Sequence, residues 1–309
     1  MSESSDRNGE KIAATTFIFM GDPQCDRYRS PTSKYDYSQW GRLLGAAYER
    51  AAKAGPPVLV LAGDIVNRAD RELEWDALAA AGGETLRKMR VFTAMGNRGR
   101  MPARDYRRRF GLPDGGPDWP GEEADPLFYS FDHGCCHFLV LDTNVIREEE
   151  PEGIRVLQDW IRRDLGACGK PVSFALMHHP VFTVGTSPED DERAEVLRRT
   201  VLPLLEEYGT DMILCGHQHL YCRTKPVFAG AEDPGLIQVM GVAGTKYFDA
   251  WEREEMECIL EFVSVGTVFR VGENEIRMET IDPEGNVVDG LWRKVRPKKQ
   301  DKKLLQQHL

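Results

Sequence analysis

The chain has 309 residues, 41% of them hydrophobic, enough to bury one large core or two modest ones. Its net charge of -10 and pI near 5.3 exclude a general nucleic-acid surface, which needs a basic stripe. Seven cysteines in no CxxC pattern predict reduced thiols and a cytoplasmic location rather than a disulfide framework. The segment Met1 to Glu10 is polar and lacks the apolar core of a signal peptide. No stretch approaches the roughly 20 apolar residues that span a bilayer, so neither membrane nor nucleic acid is an expected partner.

Residues 1–14 read as a disordered tail. Thr16 to Met20 is a short buried strand that stops at Gly21-Asp22. Trp40 to Ala54 is a helix with Leu43, Leu44, Ala47 and Tyr48 on one face, and Gly55-Pro56-Pro57 ends it. Val58 to Ala62 is an apolar strand running into Gly63-Asp64; a helix over Glu72 to Ala81 and a strand over Arg90 to Met95 follow. Residues 111–126, rich in Gly, Pro and Asp, form a loop, and 128–131 with 137–141 form a hairpin. A helix over Ile154 to Leu165 precedes the strand Val172 to Met177, which delivers His178. Glu192 to Tyr208 is amphipathic, and the strand Met212 to Leu214 delivers Gly216-His217. Beyond Tyr221 the pattern is β, over 235–242, 258–265, 268–271 and 276–281, with a turn at Asp282 to Gly285. The basic run from Arg293 to Lys303 reads as part of a solvated C-terminal tail over 293–309.

Five segments carry metal-ligand residue types where apolar runs stop: Gly21-Asp22-Pro23-Gln24, Gly63-Asp64-Ile65-Val66-Asn67, Gly96-Asn97-Arg98, His178-His179-Pro180 and Gly216-His217-Gln218-His219. Length alone suggests two domains, but ligands scattered from 22 to 219 must converge, at the C-terminal ends of strands where α/β sheets place their sites. The expected fold is therefore one α/β domain over 15–292, with two packed mixed sheets flanked by helices. Asp64 is placed to bridge two cations through its two oxygens. Asp22 and His219 can complete one metal; Asn97, His178 and His217 can complete the other. Such ligands suit Mn, Fe or Zn better than Ca. Two metals about 3.5–4 Å apart activate a bridging water and hold a phosphoryl group for in-line attack.

These segments resemble those of the calcineurin-like metallophosphoesterase superfamily, whose pattern runs D-x-H, G-D-x-x-[DN], G-N-H-[DE], H and G-H-x-H. The run Gly216-His217-Gln218-His219-Leu220-Tyr221-Cys222-Arg223 is similar to the purple acid phosphatase branch, as is the glycine-rich Gly241 to Lys246. The Asp22-Pro23-Gln24 segment is similar to a branch named calcineurin-like phosphoesterase domain-containing protein 1. The resemblance implies a two-metal phosphoric-ester hydrolase. Asp22, Asp64 and His219 would hold the first metal and Asp64, Asn97, His178 and His217 the second. His178 is preferred to His179 because the family's ligand lies two residues before the proline.

Two positions depart from the pattern. Gln24 replaces a histidine ligand; its amide oxygen is weaker and harder, which loosens the first metal and tilts it toward Mg or Mn. Arg98-Gly99 replaces the His-acid pair that contacts phosphate and is thought to protonate the leaving group. Arginine stays protonated and cannot act as an acid, yet it can clamp phosphate bidentately. Asn97 and Arg98 are thus the candidate phosphate-facing catalytic residues. The purple-type tyrosine is absent, Asn67 standing in its place, so a ferric-tyrosinate centre is not expected.

Blander roles compete at several positions. Asn67 is read as a helix cap before a ligand, His179 as packed beside the ligand, and His133 and His137 as turn and strand-surface residues. Asp142 is either a structural cap or a partner of a ligand histidine, Cys215 a small buried hydrophobe, and Cys25 is open. Glu189 to Glu192 is a helix-start cluster or a group repelling anionic substrates. The expected substrate is a phosphorylated small molecule or phosphoprotein. The competing function is an impaired member that binds a phosphorylated ligand through Arg98 and one metal.

Overall fold

Val58-Leu59-Val60-Leu61 is apolar at every position because both of its faces are covered, and the same holds for Met212-Ile213-Leu214-Cys215. The computed structural model describes residues 15–25, 35–120, 125–146, 151–185 and 187–298. In the first sheet β1 (Thr15–Met20), β2 (Val58–Leu61) and β3 (Val91–Thr93) run parallel. The later strands β11 (Gly266–Val271), β12 (Glu275–Ile281) and β13 (Val287–Lys294) extend it antiparallel, in the order β13-β12-β11-β1-β2-β3.

The second sheet is centred on parallel β5 (Cys136–Leu141), β6 (Val172–Met177), β7 (Met212–Cys215) and β9 (Ile237–Met240). With β4 (Tyr129–His133), β8 (Tyr221–Thr224) and β10 (Met256–Leu260) its order is β10-β8-β9-β7-β6-β5-β4. The sheets meet through aromatic rings. Phe17 of β1 stands edge-on to Phe138 at 5.0 Å and Phe174 at 5.1 Å, and stacks on Phe269 at 4.4 Å. The expected α/β sandwich of two mixed sheets is the observed fold.

On the first sheet lie α1 (Ser38–Ala51), whose Trp40, Leu43, Leu44 and Ala47 are buried, and α2 (Glu72–Arg87) beside it. Gly83 is non-helical (φ 51°), so regular helix stops near the expected Ala81. The second sheet's outer face carries α4 (Pro151–Ala167), α5 (Pro188–Thr200) and α6 (Leu202–Glu207). One helix was expected over the last two; it breaks at Val201 because Pro203 cannot donate the next hydrogen bond. Short α3 (Ala103–Phe110), β8 and β13 went unpredicted. Among the described residues no helix is long and apolar enough to cross a membrane.

Two expectations fail here for one reason, a basic side chain drawn out of solvent onto carboxylates of other segments. The solvated tail does not begin at 293: β13 runs to Lys294, Arg296 pairs with Asp233 at 2.8 and 2.9 Å, and Lys298 meets Asp211 at 2.6 Å. Residues 1–14 and 299–309 lie outside the described residues.

His137 is not a strand-surface residue. Its Nδ1 lies 2.8 Å from Asp132 and its Nε2 2.8 Å from Asp164 of α4, so both nitrogens donate and the ring is an imidazolium. Burial opposes that charge, but hydrogen bonds to Asp164 and Cys168 and the Asp164 charge outweigh it and push the ring up to about 10. A raised histidine stabilises fully below its unfolded value near 6.5, and the gain is lost as pH rises through about 10. His137→Gln is therefore expected to cost about 3 kcal/mol near neutrality. The gap to wild type should narrow between pH 7 and 10, as denaturant titrations at several pH values would show.

Candidate metal centre

Five strand ends deliver the site: β1 leads to Asp22, β2 to Asp64, β3 to Asn97, β6 to His178 and β7 to His217. The chain turns sharply at each end. Among the described residues six non-glycine positions have positive φ, and four of them are Asp22 (43°), Asp64 (46°), His217 (81°) and His219 (51°). Backbone strain thus gathers where side chains must be aimed. The approach is also close: a Cβ on Gly96 would lie 2.1 Å from Asp64 Oδ1, so only glycine fits there.

One set of donors comes from Asn97, His178, His217 and Asp64. His178 Nδ1 lies 2.7 Å from the Ala62 carbonyl, which can only accept, so Nδ1 carries the proton and Nε2 a lone pair. That Nε2 faces Asn97 Oδ1 at 2.9 Å, His217 Nδ1 at 3.2 Å and Asp64 Oδ1 at 3.4 Å. Burial, partly offset by the Asp64 charge, holds the His178 ring near 4 and hence neutral. On His217 the proton is on Nε2, which donates to Asp190 Oδ1 at 2.7 Å. Two imidazole lone pairs, an amide oxygen and a carboxylate therefore point at one another with no proton between them. That donor set fits a divalent cation of the Mn, Fe or Zn class.

The other set comes from Asp22, Gln24, His219 and the second oxygen of Asp64. Burial, then the charge of Asp64, holds the Asp22 carboxyl well above its ordinary value. Its Oδ2 accepts the His217 backbone N–H at 2.7 Å, while Oδ1 is buried without a hydrogen-bond partner, 3.8 Å from His219 Nε2. His219 is held neutral by burial and then by the Lys246 charge. Gln24 Nε2 lies between Asp64 Oδ2 at 3.1 Å and His219 Nε2 at 2.9 Å, and Gln24 Oε1 is buried and unpaired. Turning the amide over would place Oε1 between the same two acceptors, as a ligand rather than a donor. The set fits a cation, but with one donor fewer ready than the first set.

Residues 15–221 match the calcineurin-like phosphoesterase family. The chain belongs to that family. Purple acid phosphatase 15 of Arabidopsis thaliana is 29% identical to it over 114 residues, 36% of this chain but 20% of that protein. Purple acid phosphatase PPD1 from yellow lupin seeds superposes with a TM-score of 0.67 at 16% identity, covering 97% of this chain and 56% of that one. The GAP50 anchor of the Plasmodium inner membrane complex superposes with a TM-score of 0.58 at 17% identity, over 95% and 94% of the two chains. The structural likenesses show the fold, and the family match shows the family.

Against the family pattern, Arg98 contributes its backbone N–H to Asp64 Oδ1 at 2.7 Å, while its guanidinium is exposed with no hydrogen bond or ion pair among the described residues. Gly99 has φ 63°, and a Cβ there would lie 2.8 Å from the Val66 carbonyl. The family's acidic residue at that position would force this loop apart, so the loss of the orienter is built into the backbone.

The blander expectations divide. Asn67 caps nothing: Arg71 precedes α2, and Asn67 Nδ2 donates to Glu74 at 2.6 Å and to the Cys25 carbonyl at 3.1 Å, tying down the chain after Gln24. Asp142 is the structural cap, accepting from Leu127 N and Asn144, and touches no ligand histidine. His179 packs beside His217 at 4.4 Å and bonds Thr143, yet a ring nitrogen lies within 4.8 Å of those of His178 and His217. Cys215 is buried with its thiol on the Val239 carbonyl.

Asp190 was hidden in the acidic run. It accepts from His217 and, at 3.0 Å, from Gln218 Nε2, while Gln218 Oε1 accepts the N–H groups of Val184 and Gly185. Burial alone would raise the Asp190 carboxyl, but these hydrogen bonds hold it below the usual range. Nothing in the sequence singled Asp190 out from its acidic neighbours.

Proposed function

We propose that the chain is a metal-dependent phosphomonoesterase. The observation that carries it is the meeting of Asn97 Oδ1, His217 Nδ1 and Asp64 Oδ1 around His178 Nε2, with Gln24 on the other Asp64 oxygen beside His219 and Asp22. Two divalent ions held there would supply an activated water and neutralise charge on the phosphoryl group. Asp64 sets the spacing of the two sets because one oxygen faces each. Arg98, exposed beside this centre, would bind the phosphate dianion bidentately. Attack breaks the P–O ester bond, and the alcohol leaves as the anion and takes its proton from water, because Arg98 holds its protons too tightly to act as an acid.

Metal-stripped protein should be inactive on p-nitrophenyl phosphate and gain turnover on adding Mn. A chain that binds metal and phosphate but never turns over would instead favour the binding reading, whose support is the Arg98-Gly99 pair. Asp190→Asn should weaken the His178 and His217 site about 10–100-fold, since the carboxylate fixes the His217 tautomer. Metal titration of the stripped variant checks this.

A further inference from the structure

The segment between β9 and β10 follows the edge of the metal centre. Gly244 N bonds the Asp22 carbonyl at 2.9 Å, Phe248 N the His219 carbonyl at 3.4 Å, and Trp251 N the Val184 carbonyl at 2.8 Å. Along that path the ring of Phe248 meets the His219 ring at 5.0 Å and 71°, yet Phe248 is 46% and Trp251 57% exposed. Of seven exposed large hydrophobic side chains among the described residues, two (Phe248 and Trp251) fall within this short segment. Exposed aromatics beside a polar centre mark a surface for a ligand. Lys246 Nζ stands 4.9 Å from the Phe248 ring, so a cation suited to an anionic head adjoins the aromatic wall.

We propose that Phe248 and Trp251 receive the ring of an aryl phosphomonoester whose phosphate lies at the metal centre. The inference rests on the phosphomonoesterase reading and narrows its substrate class. Position supports it: Phe248 touches a metal-site histidine, so a ring joined to the phosphoryl group through one oxygen reaches the wall directly. Chemistry supports it independently. A phenol, with a pKa of about 10, leaves as the anion far more readily than an alkyl alcohol, which suits a site where Arg98 replaces the proton donor. Water attacks phosphorus, the aryl C–O bond stays intact, the P–O bond breaks with its electron pair, and phenolate departs to be protonated by solvent.

The test uses two non-hydrolysable phosphonates on the manganese-loaded chain. Benzylphosphonate mimics the ring, and ethylphosphonate shares only the head. Benzylphosphonate should bind about tenfold tighter, the scale of one aromatic stacking contact. Phe248→Leu, which keeps packing on His219, and Trp251→Ala should each erode that ratio while changing ethylphosphonate binding less than about twofold. Equal affinities in the wild type, or a preference that survives both substitutions, would overturn the proposal. Binding of neither phosphonate would overturn the phosphomonoesterase reading itself, and this inference with it.

Discussion

Asp64→Asn is expected to lower turnover of an aryl phosphate by about 10³-fold or more while leaving the metal-free fold intact. Asp64 is the one residue whose oxygens face both donor sets: Oδ1 lies 3.4 Å from His178 Nε2 and Oδ2 3.1 Å from Gln24 Nε2. An amide has a single oxygen, so one set must face an NH2 group that cannot bind a cation. Oδ1 also accepts the Arg98 N–H, which fixes the amide oxygen on that side and sacrifices the Gln24 side first. Stability should move the other way. Without metal the buried Asp64 charge repels Asp22, so the stripped variant should melt at or above wild type, by about 1 kcal/mol. Calorimetry of stripped proteins beside turnover of loaded ones separates these effects. A variant that loses activity because it unfolds would refute the assignment.

Arg98→His should raise turnover of alkyl phosphates by about tenfold or more, a part of the 10²–10⁴ that a positioned acid supplies. In wild type, kcat should fall steeply as the leaving group becomes more basic, because the departing oxygen gets no proton. The variant should flatten that dependence only in part, because Gly99 leaves the new imidazole without an acidic orienter. Installing that acid as well should fail or distort the loop, given φ 63° and the 2.8 Å approach to Val66. The KM of the variant should rise as the bidentate phosphate contact is lost. A flat leaving-group series in wild type, with no gain in Arg98→His, would dispose of this account.

How legible was this in the sequence? Strands that stop at Gly-Asp, Gly-Asn and His-His placed five ligand segments on five strand ends, because an apolar run followed by glycine marks where a strand meets a turn. The candidate ligand side chains come together because each follows directly on the end of a neighbouring strand. Partners chosen by tertiary contact were not legible. Asp190 looks like any helix-start acid until α5 carries it to His217, and His137 looks like a strand residue until α4 brings Asp164. Arg296 reads as tail until Asp233 is found beside it. Each is a long-range charge pair, and local pattern carries no record of which acid a buried base will meet. Asn67 failed differently: its cap geometry is plausible in sequence, but Glu74 is 0% exposed and takes its amide instead.

Titration of the stripped chain with manganese, followed to saturation, tests the central claim most directly. The account predicts two equivalents per chain of unequal affinity, the weaker at Asp22, Gln24 and His219, with Gln24→His strengthening that step alone. A single equivalent, unchanged by Gln24→His and lost only with His178→Ala, would contradict the two-metal centre.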